Sequence, residues 1–315
     1  MAWVIARQHR LQLFGMAAIV AFAALATLVS SLPIRAAYHR HALSSCLPPT
    51  SRSGCDLIVS HFQSQFSVAG PLTRYFALVP ALAALFVGAP LVAREFEHGT
   101  HRLAWTQSIT RRRWLLSKTL VLTIATALTA AAIGALAMWW RQPFDALEGR
   151  MSPAAFDVEG IVVPAYAVCA LAVGILAGVA LRRTVPAMTV ALAAFVLLRL
   201  GVEKLLRPHY LAPAHQTAAG IARPPVPREW VLDDELVTST GRQISTSLQD
   251  QAIVHAQRAQ IDAQQYMAAL GWRRVVTYQP EERFWTFQAI EAGIFVVLAL
   301  LALAGALWLV RRTPS

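Results

Sequence analysis

The chain has 315 residues, of which 56% are hydrophobic and only 14% are charged, and its mean hydropathy is positive. This composition is too apolar for an ordinary soluble domain of that length, so the lipid bilayer is the expected solvent. The formal net charge of +11 does not require nucleic acid as a partner, because basic residues also set membrane topology and attract anionic lipid.

Six stretches are long and apolar enough to cross a hydrocarbon layer of about 30 Å as helices, which takes roughly 20 residues. None shows segments of roughly ten residues with alternating hydrophobicity, so a helical bundle is favoured over an outer-membrane barrel. The sequence therefore predicts an all-α membrane protein with six transmembrane helices, at residues 11–32, 72–93, 114–139, 161–181, 185–206 and 286–310.

The N-terminal region is predicted to stay in the mature chain. The first apolar run is longer than the roughly 7–15 residues of a signal-peptide core, and no convincing small-residue cleavage site closes it. Residues 1–10, which place Trp3 and Val4 before Arg7 and Arg10, are expected to lie along the inner interface as a short amphipathic segment.

Arginines set the expected orientation. They concentrate before the first span, between the second and third, between the fourth and fifth, and after the sixth, whereas the alternate loops carry fewer or are balanced by acids. By the positive-inside rule both termini are cytoplasmic in a multi-pass plasma-membrane protein. The predicted organisation has four parts: an interfacial segment at residues 1–10, five spans at 11–206, an extracellular domain at 207–285, and a sixth span with its tail at 286–315. Within the five-span part, residues 33–71 form the outer loop and residues 94–113 form the inner loop.

The outer loop contains two cysteines in an expected oxidising compartment. Cys46 and Cys55 are predicted to form a disulfide, with two free thiols as the alternative. The nearby histidines match no familiar zinc-ligand spacing, so no metal site is predicted. Cys169, in the fourth span, is expected to be a buried small hydrophobe.

The 207–285 segment begins with prolines that stop helices. A narrow apolar stripe at steps of three and four residues then runs from Leu248 to Leu270, and Gly271 is a candidate C-cap. The pattern predicts a mainly helical extracellular domain.

The middles of the six predicted spans lack ionisable residues, so any energy for transport would come from outside this chain. Arg199 and Glu291 each lie about 9 Å from the outer end of a span at 1.5 Å per residue. The interpretation that the spacing favours is a local bond between Arg199 and Glu203, four residues on. A cross-helix pair of Arg199 with Glu291 is the alternative hypothesis, and restoration of expression by reversing both charges is its test.

Catalytic motifs are absent from the sequence. It contains no G-x-x-x-x-G-K-S/T loop for phosphates, no H-E-x-x-H zinc motif and no G-x-S-x-G elbow. No cofactor is therefore expected in this chain.

The inner loop, residues 94–113, is a charged insert between two long apolar runs. Glu95 and Glu97 extend the second span, Gly99 offers a turn, and Thr100 is a candidate N-cap. A short helix over residues 101–107 would present Arg102, Leu103 and Trp105, and Ser108 or Thr110 would cap the third span just before Arg111.

This loop resembles type 2 ATP-binding cassette (ABC) exporter permeases, whose pattern is E-x-E-x-G-T followed by T-x-x-x-S/T-R and G-K. The matching residues here are Glu95, Glu97, Gly99, Thr100, Thr106, Thr110, Arg111 and Lys118. The fuller loop, the opening WVIARQHRLQL and the late YQPEERFWTFQAIE resemble permeases of high-GC Gram-positive bacteria in particular.

The resemblance implies a six-span permease subunit without its own ATPase activity. It would form a homodimer, or a heterodimer with another permease, and bind separate ABC ATPase subunits that hold ATP and magnesium. By the same resemblance, residues 95–113 would dock on the ATPase, and residues 1–10 would form an elbow helix at the inner interface. The absence of acidic or aromatic pocket residues at the midplane points to a lipid-like or amphipathic substrate. Two other functions stay open: a membrane-anchored extracellular sensor or binding protein, and a membrane-embedded enzyme.

Overall fold

A computed structural model describes residues 10–46, 55–67, 69–99, 110–221 and 228–312, and for residues 11, 56, 69–80, 83, 111, 112 and 114 it describes the backbone alone. Ten helices and three strands are labelled here in chain order. The helices are α1 (Arg10–Arg40), α2 (Cys55–Gln65), α3 (Ala69–Glu97), α4 (Arg111–Glu148), α5 (Pro153–Phe156), α6 (Val162–Leu181), α7 (Thr184–Gly201), α8 (Thr246–Arg258), α9 (Ala263–Ala269) and α10 (Phe284–Arg312), and the strands are β1 (Ala214–Ala219), β2 (Trp230–Val237) and β3 (Arg273–Gln279).

Within the described residues, five helical stretches are long and apolar enough to cross a membrane, so the chain is a multi-pass membrane protein. They are Gln12–Arg40, Leu115–Glu148, Val162–Leu181, Thr184–His209 and Glu281–Arg312. The predicted second span falls in α3, a helix of 29 residues whose side chains are described only in part. A sixth span therefore stays a prediction, as does the side of the membrane on which each end lies.

Helix α6 is the centre of the bundle. It is buried along almost its whole length and packs against α3, α4, α7 and α10. Glycines allow the backbones of α3 and α6 to approach closely, because a Cβ at Gly88 would lie 2.5 Å from the carbonyl oxygen of Leu171 and one at Gly178 would lie 2.6 Å from that of Ala89. Small residues at such contacts are typical of membrane helix pairs, which gain stability from close van der Waals packing.

Helix α1 packs mainly on α4 and exposes most of its apolar side chains. Beyond it, Leu43 and Phe62 are fully buried with Phe144 of α4 in a small separate core. Cys46 and Cys55 are joined by a disulfide at the edge of this core, and Cys169 is a buried free thiol within α6.

The segment between α7 and α10, which we call the α/β segment, is not mainly helical. The prediction of a mainly helical domain at residues 207–285 is therefore wrong. Its strands form a three-stranded antiparallel sheet in the order β1-β3-β2, with a register irregularity in β2 between Val231 and Asp233. The strands are short and rich in polar residues, and Arg274 of β3 forms a two-pronged ion pair with Asp234 of β2, at 2.6 and 3.0 Å. Such pairs between strands stabilise a sheet whose individual strands carry a weak hydrophobic pattern.

The apolar stripe from Leu248 to Leu270 belongs to two helices, α8 and α9, and not to one continuous helix. The Gln260 backbone adopts a left-handed conformation, with φ of 56°, which ends α8. The Asp262 side chain then accepts a hydrogen bond from the Gln265 backbone N–H at 2.8 Å and starts α9. Ile244, Ala252, Met267 and Trp272 form the small core beneath these helices.

The α/β segment packs directly on the start of α10. The Gln279 side-chain amide donates to the carbonyl oxygen of Leu211 at 2.8 Å and accepts from Arg283 at 2.8 Å. Trp230 of β2 and Tyr210 both pack their rings against Phe287 of α10. The segment is therefore anchored at the ends of α7 and α10.

Candidate functional site

The root of the inner loop lies where α3 ends and α4 begins. The Glu95 carboxylate of α3 accepts a hydrogen bond from the Lys118 ammonium of α4, and both side chains are largely buried. Lys118 is one turn inside the predicted third span, where an uncompensated charge would be costly. The Glu95 carboxylate balances that charge. This ion pair fixes the spacing between the two helices at the base of the loop.

Glu97 connects the same helix end to the turn between α6 and α7. Its carboxylate accepts from the Thr184 backbone N–H at 3.1 Å and from the Thr184 hydroxyl at 2.5 Å. Because Thr184 is the first residue of α7, the carboxylate lies at a helix N-terminus, where a negative charge is favourable. The two Thr184 hydrogen bonds hold the pKa of Glu97 below its ordinary value of 4.5.

Neighbouring residues shape the same junction. The Arg182 guanidinium lies 5.4 Å from the centre of the Phe96 ring, again joining the end of α3 to the α6–α7 turn. Gly99 has a φ of 69°, which glycine adopts without strain. Thr110 caps α4, since its side chain accepts from the Arg113 backbone N–H, and Arg111 is the first residue of that helix.

Part of the predicted inner site lies outside the described residues. This applies to Thr100, Arg102, Leu103 and Trp105, and also to residues 1–9 of the predicted elbow helix. The described root of the loop nevertheless contacts α3, α4, α6 and α7. A displacement of the loop would therefore act on four helices at once.

A buried ion cluster, consisting of Asp157, Arg199, Arg207 and Glu291, lies at the opposite ends of α6, α7 and α10. Glu291 is fully buried and accepts from both arginines: from Arg199 at 3.3 Å, and from Arg207 Nε at 2.7 Å and Nη2 at 2.6 Å. Asp157 accepts from Arg199 at 2.6 Å and from Arg207 at 2.8 Å. Two cations and two anions thus share one site, and no net charge is buried.

Aromatic residues surround this ion cluster. The hydroxyls of Tyr166 and Tyr210 donate to Glu291 at 2.5 and 3.1 Å. The Arg199 guanidinium lies over the Tyr166 ring at 4.1 Å, and that of Arg207 lies over the Phe156 ring at 4.4 Å. Hydrogen bonds and stacking of this kind offset the cost of removing the four charges from water.

The local bond of Arg199 with Glu203, which the spacing favours, is not formed; Glu203 pairs with Lys204 instead. The helical geometry explains the difference. Arg199 and Arg207 are eight residues apart, and in an α-helix of 3.6 residues per turn they would point about 80° apart. The turn Val202–Leu206 is a π-helix, whose i→i+5 bonds take more residues per turn and reduce that offset. Both arginines therefore reach the same two carboxylates.

A second buried cluster adjoins the first. Arg141, near the end of α4, donates to Asp145 and to Glu159, both at 3.2 Å, and Arg150 donates to Glu159 at 2.9 Å. Arg141 and Glu159 are almost fully buried. Hydropathy alone assigns these residues to an aqueous loop. The sequence signal for their burial is the pair of acids Asp157 and Glu159, two residues apart and just before an apolar span.

A cleft of about 390 Å³ opens beside the ion cluster, between α3, α6 and α7. Its lining is mixed, with the polar residues Asp157, Tyr166 and Arg199 and the apolar residues Phe195 and Val196. Apart from the disulfide cysteines, the described residues that sequence analysis singles out thus fall into two regions, the root of the inner loop and the ion cluster, at opposite ends of α6 and α7.

Comparison with known proteins supports a transport role. Residues 16–207, more than half of the chain, match the family model described as ABC-2 membrane transporter related. No curated protein and no solved structure matches the chain. The matched range includes both sides of the inner loop, the α6–α7 turn and three of the four residues of the ion cluster. The chain therefore belongs to the family of ABC-2-related membrane transporters.

Proposed function

We propose that the chain is the permease subunit of an ABC exporter and moves a lipid-like or amphipathic substrate across the plasma membrane. A separate ATPase subunit would bind ATP and magnesium at the cytoplasmic face. The permease would act as a homodimer or as a heterodimer with another permease, with residues 1–10 as an interfacial elbow helix and the α/β segment outside the cell. The arrangement around Glu97 is the observation that carries this proposal.

The inner loop root supplies a physical route for coupling. An ATPase that moves the loop would pull on α3 and α4 through the loop's two ends. The Glu95–Lys118 ion pair would keep these two helices together, and the Glu97–Thr184 contact would pass the displacement to the α6–α7 turn. Since packed helices shift as rigid elements, a small displacement of the loop would become a movement of the bundle.

The outer ion cluster would hold the far ends of α6, α7 and α10 together during that movement. Four buried charges that share hydrogen bonds resist separation, because each charge would lose its partner in a site of low dielectric. The α/β segment is anchored to the same helix ends and would move with them. No role with nucleic acid is proposed, since the basic residues act as topology signals and ion-pair partners.

The test is copurification of the tagged chain from its native host, followed by mass spectrometry of the bound proteins and an ATPase assay. Glu97→Lys reverses the charge that Thr184 binds and places a cation at a helix N-terminus. Glu282→Lys makes the same charge change at an exposed residue beside α10, at the other end of the bundle, and serves as the matched control.

We expect an ATPase subunit to copurify with the unmodified chain and with Glu282→Lys, and to be lost or strongly reduced with Glu97→Lys. If no ATPase copurifies, or if Glu97→Lys retains it fully, the coupling assignment is wrong. The extracellular sensor would then become the better hypothesis, with the α/β segment as its binding domain. The membrane-embedded enzyme gains no support from the described site residues.

A further inference from the structure

We propose that the cleft beside the ion cluster binds an amphipathic molecule whose head group is zwitterionic, with one positive and one negative charge. This inference rests on the proposed transport function and names the substrate class that the cleft fits. It concerns the cleft between α3, α6 and α7, which we call the outer cleft.

The outer cleft has the size and the mixed lining of a small-molecule site. Its volume of about 390 Å³ lies within the range of roughly 300–1,000 Å³ that is usual for ligand pockets. Phe195, Val196 and Leu200 of α7 are apolar members of the lining, and four other members are charged. Such a mixed lining suits a molecule with an apolar tail and a charged head.

The charges that line the outer cleft determine the head group. The described lining contains two acids, Asp157 and Glu203, and two bases, Arg199 and Lys204. Their formal charges sum to zero. A head group with a net charge would leave one charge without a partner in a partly buried site, and such a charge is costly. A zwitterionic head can instead place its anion near the bases and its cation near the acids, so that the site remains neutral.

Two charged residues of the outer cleft are held in place by contacts within the protein. Asp157 and Arg199 are held at 2.6 Å from one another, and each also contacts the rest of the ion cluster. The Tyr166 ring lies against the Arg199 guanidinium. Lys204 pairs with Glu203 at 2.9 Å but keeps 69% of its side chain exposed, and an exposed pair of this kind can be exchanged for a ligand at little cost. A set of charges that is already held in place, with one exposed cation beside it, lowers the ordering cost of binding.

Two apolar residues of the cleft, Val196 and Leu200, are exposed at the surface of the bundle. Val196 and Leu200 expose 40% and 48% of their surface, and they lie on a helix that the proposed function places across the bilayer. An alkyl tail would therefore lie along α7 in contact with lipid while the head enters the cleft. This geometry favours an amphiphile drawn from the bilayer over a small polar solute drawn from water.

The experiment compares three probes that share one tail: dodecylphosphocholine (zwitterionic), dodecyl phosphate (anionic) and dodecyltrimethylammonium (cationic). Radiolabelled dodecylphosphocholine is titrated onto the full chain in maltoside micelles, and each unlabelled probe then competes. Val196→Trp replaces an apolar residue of the cleft lining with a larger one and so reduces the space for the tail. Val190→Trp makes the same exchange at an exposed residue about 120° away around α7 and is the matched control.

We expect one saturable site for dodecylphosphocholine, weakened at least tenfold by Val196→Trp and unchanged by Val190→Trp, with the two charged probes competing at least tenfold less well. Lys204→Gln, at an exposed position, gives the lining a net charge of −1 and should shift the preference toward dodecyltrimethylammonium. Equal or better competition by dodecyl phosphate would overturn the assignment of the head group. Absence of saturable binding, equal effects of the two tryptophan variants, or an unchanged preference in Lys204→Gln would overturn the site. Binding needs no ATPase, so a failure here is distinct from a failure of the copurification test.

Discussion

Replacing Glu291 with Gln should destabilise the chain more than any other single change of one carboxylate to an amide among the described residues. The variant keeps the size of the side chain but removes the negative charge and turns one acceptor atom into a donor. In the structure this carboxylate accepts two hydrogen bonds from Arg207, one from Arg199 and one from each of Tyr166 and Tyr210. After the change, Asp157 alone would face two buried arginines.

The expected cost follows from the burial of this site. Glu291 is fully buried, and its partner Arg207 keeps only 1% of its surface exposed. Removing one partner of a buried ion pair costs about 3–5 kcal/mol, because the remaining charge is left without compensation. We therefore expect Glu291→Gln to lower the free energy of unfolding by about that amount. Glu148→Gln, at an exposed carboxylate with one hydrogen bond from Gln63, should change it by no more than about 0.5 kcal/mol.

Reversible unfolding in mixed detergent micelles, followed by tryptophan fluorescence, measures both variants. A second arm combines Glu291→Gln with Arg207→Gln, which returns the cluster to one acid and one base. The double variant should then be more stable than the sum of the two single losses predicts, with a coupling energy of about 1–3 kcal/mol. A loss below about 1 kcal/mol for Glu291→Gln, or simple additivity, would refute the view that charge balance stabilises this site.

The structure also changes the charge-reversal test for Arg199 and Glu291. A reversed pair would place a glutamate beside Asp157 and an arginine beside Arg207, since each residue has a second charged neighbour. Reversing both charges should therefore fail to restore expression, although the two residues are in contact. A simple exchange of charges is informative only for an isolated pair, and this cluster has four members.

Three further predictions test other parts of the structure. Cys46→Ser opens the disulfide that closes a short loop and should lower stability by about 2–3 kcal/mol, measured by unfolding with and without reductant. Gly88→Ala should cost about 1–3 kcal/mol in the same assay, because its Cβ would meet a backbone oxygen at 2.5 Å, whereas Gly15→Ala, with open space around it, should cost nothing measurable. Thr184→Val should raise the pKa of Glu97 part of the way toward its ordinary value of 4.5, because the variant loses the hydroxyl hydrogen bond and keeps the backbone one; a ¹³C carboxyl titration measures this shift. The sign follows from the lowered pKa: this contact stabilises fully above pH 4.5 and is lost as the pH falls through the lower, folded-state value.

Sequence reasoning predicts the buried apolar helices well. The fourth span, predicted at residues 161–181, is the helix Val162–Leu181, and the sixth, predicted at 286–310, lies within Phe284–Arg312. Long apolar runs bounded by charged residues or glycine have one stable solution in a bilayer, because a helix satisfies every backbone hydrogen bond internally. The positions of these helices therefore follow from the apolar runs in the sequence alone.

The ends of the helices could not be predicted in the same way. The third span was expected to end at residue 139, but its helix continues to Glu148 because Arg141 and Asp145 are buried against Glu159. A hydropathy scale assigns such residues to water, since it counts each side chain separately and cannot include a partner distant in sequence. The same limit applies to Arg199, whose partners lie on other helices.

The three strands were missed for a related reason. Strand β3 has the β-branched pair Val275–Val276, but arginines precede it, and β2 contains two adjacent aspartates. Each strand alone has a weak period of two, and the sheet gains its stability from pairs between strands, such as Arg274 with Asp234. The helical stripe nearby is the stronger pattern, so the sequence predicts a mainly helical domain.

The two ends of the bundle differ in how strongly they are held, and this difference bears on how such a permease would move. At the inner end, Glu97 is exposed and binds Thr184 at the protein surface, where water can replace either partner when the contact opens. At the outer end, Glu291 and Arg207 are buried and lose several kcal/mol if they separate. A force that the Glu97–Thr184 contact passes to the α6–α7 turn would therefore displace the inner end of the bundle, while α6, α7 and α10 pivot about an intact ion cluster. The outer cleft lies beside that pivot and shares Arg199 with it, so a ligand head group there would act directly on the most rigid part of the bundle.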